Sequence, residues 1–308
     1  MKKFVKVLSI TACVIAALAV IGSGVMGWFV ASKILHQNEG KDTAEASLKQ
    51  LEIWGYDISS FSYTGTSVSA TASDGNVVPG TLFSYGSDTC VVLVHGAGGD
   101  RVSAYPLAEG YLSRGYDVLA MDQRGCGENP SDEVTFGINE SLDVAAMVSY
   151  ARSLGYSSVY VHGQSMGAQT AAIYASTVED GPSAADAVIC DSPVPGMELI
   201  IREMFGDGDV DAFLPSYLVG ISKPWLYLSG ISMDDGDTME VVKADMIPTL
   251  VIVSSRDEVC LPSQVEEVYA NIACENKEIL YFDSEHIMGI IDYPDEYMDG
   301  VEAFLDGV

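Results

Sequence analysis

The sequence predicts an α/β fold with a doubly wound, mostly parallel sheet, and three observations support this. Short, almost wholly apolar runs recur along the chain, as in strands that are buried on both faces of a parallel sheet. Helical patterns alternate with these runs, as right-handed crossover connections require. The chain has 308 residues and is 48% hydrophobic, which is enough for one large domain with a sizeable core. We expect that domain to span residues 67–308.

The first 35 residues are predicted to be a membrane anchor outside the core. Lys2, Lys3 and Lys6 precede an uncharged run over residues 7–32, which is long enough to cross a bilayer as a helix. A cleaved signal peptide has a shorter apolar region, whereas this run continues to Trp28, a residue type common at membrane interfaces. An uncleaved anchor is therefore favoured over a cleaved signal, which stays as the alternative.

The lysines also predict the orientation of the anchor. Positive charge before the span places the N-terminus in the cytoplasm and the large domain outside the cell membrane, as a single-pass protein. Lys33, Lys41 and Lys49, beyond the span, weigh against this orientation. The run Ile10-Thr11-Ala12-Cys13 is similar to a lipobox, but most of the apolar run follows the cysteine, so lipidation is not expected.

Composition limits the partners of the domain. The net charge is -29, and such a surface repels nucleic acid and anionic membranes. The six cysteines have spacings that fit neither a zinc site nor a dense disulfide framework. We interpret them mainly as small core residues and leave one cysteine pair open.

The chain after the anchor divides into segments in the following order. Residues 36–66 are predicted to be a linker with a short helix that precedes Trp54. Two alternating segments, 67–72 and 77–84, flank Asp74-Gly75, which is a hairpin signal. The predicted buried strands are 90–94, 117–121, 158–161, 187–190, 249–253 and 277–282, and the predicted helices are 105–113, 142–154, 166–176 and 264–273.

A segment over about 194–238 interrupts this alternation. It contains no strand-like run, and it is rich in aromatic residues and methionine. We predict a small helical cap inserted over the site, although for any single one of these side chains simple packing of the insertion onto the core is favoured. The side chains are Met197, Met204, Phe205, Phe213, Tyr217, Trp225, Tyr227 and Met233.

The motif G-x-S-x-G occurs at residues 163–167, between a predicted strand and a predicted helix. This is the context of a nucleophile elbow, in which a tight turn exposes the serine. A side chain at Gly163 or Gly167 would clash in such a turn, and the helix N-terminus directs free N–H groups at the reaction centre. Ser165 is therefore the candidate nucleophile.

Two further motifs follow earlier strands. His95-Gly96-Ala97-Gly98-Gly99 has small residues that let the backbone approach the elbow, so the N–H groups of Ala97 and Met166 are candidates for an oxyanion hole. Asp122-Gln123-Arg124-Gly125-Cys126-Gly127 follows the next strand. With these motifs the chain resembles the α/β-hydrolase superfamily over about residues 67–308, and within it bacterial membrane-anchored hydrolases grouped with serine aminopeptidases.

The resemblance implies where the acid and the base of a catalytic triad lie. The superfamily commonly carries its acid after the strand two past the nucleophile strand, which matches Asp257, with Glu258 and Asp191 as alternatives. Its base follows the last strand, which matches His286. The other three histidines are expected to have ordinary structural roles: they are His36, His95 and His162.

Together these residues predict an acyl-enzyme mechanism on Ser165 that needs no metal or organic cofactor. The expected reaction is cleavage of a carboxylic ester or thioester of a neutral, partly apolar acyl substrate. Peptide or amide cleavage is the alternative, but related prolyl aminopeptidases have other residues at both glycine motifs. Acyl transfer and a non-catalytic binding module are the remaining alternatives.

Overall fold

The computed structural model describes residues 2–206 and 212–308. The chain divides into two compact units. The helical unit contains the chain up to Leu35 together with Glu198–Met233, and the sheet unit contains His36–Met197 and Asp234–Val308. Part of the predicted cap, including the side chain of Met204, lies outside the described residues.

An eight-stranded sheet forms the centre of the sheet unit, in the order β1-β2-β4-β3-β5-β6-β7-β8. The pairs β1/β2 and β2/β4 are antiparallel, and all later pairs are parallel. This confirms the predicted α/β-hydrolase topology with an antiparallel start. The strands are β1 (Thr66–Thr71), β2 (Val77–Phe83), β3 (Thr89–Val94), β4 (Asp117–Met121), β5 (Ser158–Gln164), β6 (Ala187–Asp191), β7 (Thr249–Ser254) and β8 (Lys277–Phe282).

Helices cover both faces of this sheet. Strands such as β4 and β7 are therefore buried along their whole length. On one face, α3 and α11 pack with residues of β3 and β4 in the main apolar cluster. On the other face, α4 and α5 pack against β5. The helices of this unit are α2 (Thr43–Ile53), α3 (Tyr105–Ser113), α4 (Glu140–Ser153), α5 (Met166–Thr177), α8 (Thr238–Val241), α9 (Pro262–Asn271), α10 (Gly289–Asp292) and α11 (Pro294–Leu305).

The helical unit contains α1 (Lys2–Leu35), α7 (Phe213–Leu228) and nearly all of α6 (Met197–Gly206). Among the described residues, Lys3–Leu35 is the helix that is long and apolar enough to cross a membrane. Its first part, residues 3–22, is exposed, and its last part packs along α7. The described part of the predicted insertion is mostly helical, and Glu198–Met233 forms a compact unit with the N-terminal helix.

The region after α1 contains a helix directly before Trp54, where the sequence predicts a short one. The helix α2 is part of the sheet unit, and its buried residues Thr43, Ser47 and Leu51 fix it to that unit.

The thiols of Cys90, Cys126, Cys190 and Cys274 are buried and free, and Cys13 is free on α1. In the described part of the chain, the cysteine pair that the sequence left open does not form.

Candidate active site

Ser165 lies in the turn between β5 and α5, at the middle of the sheet. Its backbone has φ 57° and ψ -118°, a conformation that costs a non-glycine residue about 1–3 kcal/mol. The surrounding backbone holds this conformation, because the Ser165 N–H donates to the carbonyl of Asp191 at 2.9 Å. The turn presents the serine hydroxyl at the carboxyl edge of the parallel strands.

The glycines around Ser165 differ in how strictly they are required. A Cβ atom at Gly163 would overlap the carbonyl oxygen of Gly167, and one at Gly167 would overlap the carbonyl oxygen of Val94. At Gly96 the nearest atom to an added Cβ would be the Ser165 Cβ, at 3.5 Å. Gly163 and Gly167 are therefore needed for close packing of the backbone, whereas Gly96 has room for a methyl group.

Ser165, His286 and Asp257 form a continuous chain of hydrogen bonds. The His286 Nε2 atom lies 2.8 Å from the Ser165 Oγ, and its Nδ1 atom lies 2.7 Å from the Asp257 Oδ2. The other carboxylate oxygen of Asp257 accepts the N–H groups of Val259 and Cys260, both at 2.8 Å. An ionised Asp257 accepts the Nδ1–H, so Nε2 is left to accept the serine proton.

The two alternative acids occupy other positions. The Asp191 Oδ2 accepts the Tyr297 hydroxyl at 2.8 Å and the Gln164 amide at 3.1 Å, and burial raises the pKa of this carboxyl group. Glu258 lies in the wall of the cleft beside His286. In the described part of the chain, neither carboxylate is hydrogen-bonded to the His286 ring as Asp257 is.

The loop that contains Ala97 runs beside Ser165. The Gln123 N–H donates to the His95 Nε2 at 3.1 Å, and the Gln123 side-chain amide donates to the His95 carbonyl at 2.5 Å. Gln123 in turn accepts the hydroxyl of Thr170 on α5 at 2.7 Å. These bonds tie the loop to both β4 and α5, a role of Gln123 that the sequence did not indicate.

The N–H groups of Ala97 and Met166 are the candidate oxyanion donors. Met166 is the first residue of α5, where a helical N–H has no partner within the helix. Across residues 2–206 and 212–308, no backbone hydrogen bond between loops or turns uses either N–H group. Ala97 lines the same cleft as Ser165, and Met166 directly follows Ser165 at the start of α5.

The other histidines have structural surroundings. His162 is buried between the hydroxyl groups of Tyr111 and Tyr297, at 2.8 and 3.1 Å, and burial lowers its pKa to about 3. Burial also lowers the pKa of His95. His36 lies 4.0 Å from Asp132. His286 is thus the histidine that the fold brings to Ser165.

Two clefts adjoin the triad, and residues of the sheet unit line both. Ala97, Ser165 and His286 all line a cleft of about 220 Å³. Its large apolar side chains are Trp54, Val259 and Ile287. A cleft of about 650 Å³ lies beside His286, with Arg256 and Glu285 in its wall. The sequence did not predict the contribution of Trp54 or of Gln50, which also lines the smaller cleft. Among the described residues, no group of three or more His, Cys, Asp or Glu side chains could hold a metal ion.

Comparisons of the sequence and of the fold with known proteins find similarity to α/β hydrolases, including esterases. A family model described as alpha/beta hydrolase fold matches residues 89–218. YqkD of Bacillus subtilis, an uncharacterized protein, is 25% identical over 223 residues, or 71% of each chain. The esterase Pf2001 of Pyrococcus furiosus is 26% identical, with a TM-score of 0.64 over 82% of this chain and 94% of that one. An esterase of Exiguobacterium antarcticum has a TM-score of 0.57 at 16% identity, over 78% and 100% of the chains.

Proposed function

The chain belongs to the α/β-hydrolase superfamily, and from that premise we propose that it is a serine hydrolase that cleaves a carboxylic ester or thioester. Ser165 is the nucleophile, His286 the general base and acid, and Asp257 the residue that orients His286. The observation that supports these roles most strongly is the hydrogen-bonded chain from Ser165 through His286 to Asp257. Ester cleavage is preferred over peptide cleavage because Pf2001, with similar structure, is an esterase.

The reaction proceeds in two halves. The Ser165 Oγ attacks the carbonyl carbon while His286 Nε2 takes its proton, and the N–H groups of Ala97 and Met166 stabilise the oxyanion. The carbon–oxygen or carbon–sulfur bond then breaks, and the alcohol or thiol leaves with the proton from His286. A water molecule, deprotonated by His286, attacks the acyl-enzyme and releases the acid. Ser165 regains its proton from His286.

We also propose that α1 is a single-pass anchor in the cell membrane with the sheet unit outside. The support is the length and apolar composition of Lys3–Leu35 and the lysines at its start. The substrate is proposed to be a small neutral acyl compound that is partly apolar, because Trp54, Val259 and Ile287 line the cleft beside Ser165.

Labelling with a fluorophosphonate probe tests the proposed nucleophile. The probe phosphonylates an activated serine, so we expect wild-type protein to be labelled at Ser165 and to hydrolyse p-nitrophenyl esters. Ser165→Ala removes the attacking oxygen, and both signals should fall to background while the circular dichroism spectrum stays unchanged. Ser192→Ala is the matched control, since Ser192 also has positive φ at a strand end but is not bonded to His286. Persistent labelling of Ser165→Ala would refute the assignment.

A further inference from the structure

The helix α2 is fixed directly to the segments that follow β3 and β4. The hydroxyl of Ser47 accepts the N–H of Asp100 at 2.7 Å, immediately after the loop that contains Ala97. The hydroxyl of Thr43 accepts the N–H of Gly127 at 2.8 Å. Leu51, one turn further along the same face, is buried. Three successive turns of α2 therefore hold it against the rim of the site.

The end of α2 is equally well defined. After the last helical residue, Ile53, the chain turns at Gly55, which has φ 73° and donates its N–H to the carbonyl of Glu52 at 3.0 Å, as in a left-handed helix terminus. Beyond the turn, the hydroxyl of Tyr56 donates to Glu109 on α3 at 2.6 Å. Hydrogen bonds on both sides of Trp54 thus hold the chain in place, and the residue is half-buried.

Trp54 caps the C-terminus of α2, one turn beyond Gln50, and both residues line the cleft of about 220 Å³ beside Ser165. Trp54 is the aromatic side chain in that wall, and Val259 and Ile287 contribute its other large apolar groups. The volume is below the range of roughly 300–1,000 Å³ that is usual for drug-sized ligands. The cleft is therefore small, and its wall combines these apolar side chains with polar ones such as Gln50.

The chemistry decides which part of a substrate occupies this space. A carbonyl oxygen that points at the N–H groups of Ala97 and Met166 places the carbonyl carbon over the Ser165 Oγ. His286 lines both clefts, whereas Ser165 and Ala97 line the smaller one and are absent from the wall of the larger one. The acyl group stays bonded to Ser165 while the leaving group departs with a proton from His286. The acyl chain is therefore assigned to the smaller cleft, against Trp54, and the leaving group to the larger one.

We propose that Trp54, with Gln50, forms the end wall of the acyl pocket and restricts the enzyme to short acyl chains. This inference rests on the proposed function, because it needs an acyl group on Ser165. It assigns substrate selection to the helix that follows the anchor, rather than to the predicted cap over 194–238. The substrate class is an ester or thioester of a short-chain carboxylic acid with a larger leaving group.

A series of p-nitrophenyl esters from acetate to octanoate tests this, because the leaving group stays constant while the acyl chain grows. The full-length protein in detergent is assayed, and kcat/KM is referred to the concentration of sites that the fluorophosphonate probe titrates. Wild type should prefer acetate and butyrate. Trp54→Ala should raise the octanoate-to-acetate ratio of kcat/KM about tenfold or more, since a few methylene contacts are worth that much discrimination. Trp54→Phe should give an intermediate ratio.

Ile53→Ala is the matched control, because Ile53 adjoins Trp54 on α2 and is 83% exposed. Its ratio should equal that of wild type. An active wild type whose ratio is unchanged in Trp54→Ala, or changed equally in Ile53→Ala, would overturn the inference and leave the proposed function intact. A wild type that neither labels nor hydrolyses any ester of the series would overturn the proposed function and this inference with it.

Discussion

Two buried aspartates lie near the elbow, and their hydrogen bonds separate their roles. Asp257 uses one oxygen for two backbone N–H groups and the other for His286. Asp191 uses its Oδ2 for Tyr297 and Gln164, and its carbonyl oxygen accepts the N–H of Ser165. The first arrangement holds a carboxylate against the imidazole ring, and the second supports the backbone of the elbow. Asp257 can therefore fix the tautomer of His286, whereas Asp191 cannot.

Asparagine substitution at each position tests this difference. In Asp257→Asn the backbone N–H groups of Val259 and Cys260 hold the side-chain oxygen, so the amide NH2 faces Nδ1 and donates to it. This favours the wrong tautomer, and we expect kcat to fall by a factor on the order of 10⁴. Asp191→Asn should lower kcat by less than about tenfold, because it leaves the His286 contact intact. Steady-state kinetics of both variants, with active sites titrated, provide the measurement. An Asp191→Asn loss as large as that of Asp257→Asn would contradict the assignment.

Residues with a local signature could be predicted from the sequence, and residues without one could not. Ser165 has such a signature because it lies in G-x-S-x-G directly after a strand. His286 was assigned from the resemblance, which places the base after the last strand, and the structure brings its ring to Ser165. Gln123 was not predictable, because its bonds to His95 and Thr170 join residues far apart in the chain. No spacing in the sequence encodes those contacts.

The same contrast applies to whole elements. Strands such as β4 were predictable because short, unbroken apolar runs are typical of strands buried on both faces of a sheet. The packing of α2 was not predictable in the same way. Thr43 and Ser47 are polar, and a search for apolar residues at helical spacing does not detect buried hydroxyl groups. Its buried positions 43, 47 and 51 do recur every four residues, which is the periodicity of one helix face. Hydroxyl-bearing residues at that spacing are the signal that was available.

The helical unit shows how the insertion associates with the N-terminal helix. The hydroxyl groups of Ser23 on α1 and Tyr217 on α7 are 2.6 Å apart. One turn further, a Cβ atom at Gly27 would overlap the carbonyl oxygen of Ile221. Gly24 has no atoms within 4 Å of an added Cβ. Small residues on one face of α1 thus permit the close approach of α7, as in membrane helix pairs.

This pairing predicts the behaviour of the anchor in membranes. Ser23→Cys with Tyr217→Cys should be cross-linked by a bifunctional maleimide that spans the length of the lost tyrosine ring, and adding Gly27→Leu should abolish the cross-link because the leucine side chain separates the helices. Gly24→Leu is the control and should cross-link like the parent. All variants should stay in the membrane pellet after carbonate extraction, since the apolar span is unchanged. Equal cross-linking of the Gly27→Leu and Gly24→Leu variants would refute the pairing, and release of the protein by carbonate would refute the anchor.

At the scale of the whole molecule, negative charge is the dominant electrostatic property. The net charge is -29, and two arginines that could offset it near the site are already paired. Arg101 forms ion pairs with Asp122 and Glu128, and Arg256, in the wall of the larger cleft, lies 3.0 Å from Asp283. An anionic substrate therefore approaches through a repulsive field and meets no unopposed positive charge from either arginine.

This field predicts a preference for neutral esters that salt weakens. Of two esters with equal acyl length, one neutral and one ending in a carboxylate such as a succinyl ester, we expect the neutral one to have a kcat/KM about tenfold higher at low ionic strength. Long-range repulsion acts on encounter, so the ratio should shrink as salt rises and the Debye length falls toward about 3 Å at 1 M. The same measurement with Arg256→Gln, which removes a positive charge beside the larger cleft, should increase the neutral-to-anionic ratio of kcat/KM at low salt.

If the ratio of the two kcat/KM values persists in 1 M salt, the discrimination lies inside the acyl pocket, where screening does not reach, and the global field is not its cause. Faster hydrolysis of the anionic ester at low salt would contradict the prediction outright. If Arg256→Gln then removed that preference for the anionic ester, Arg256 would be the residue that overrides the field.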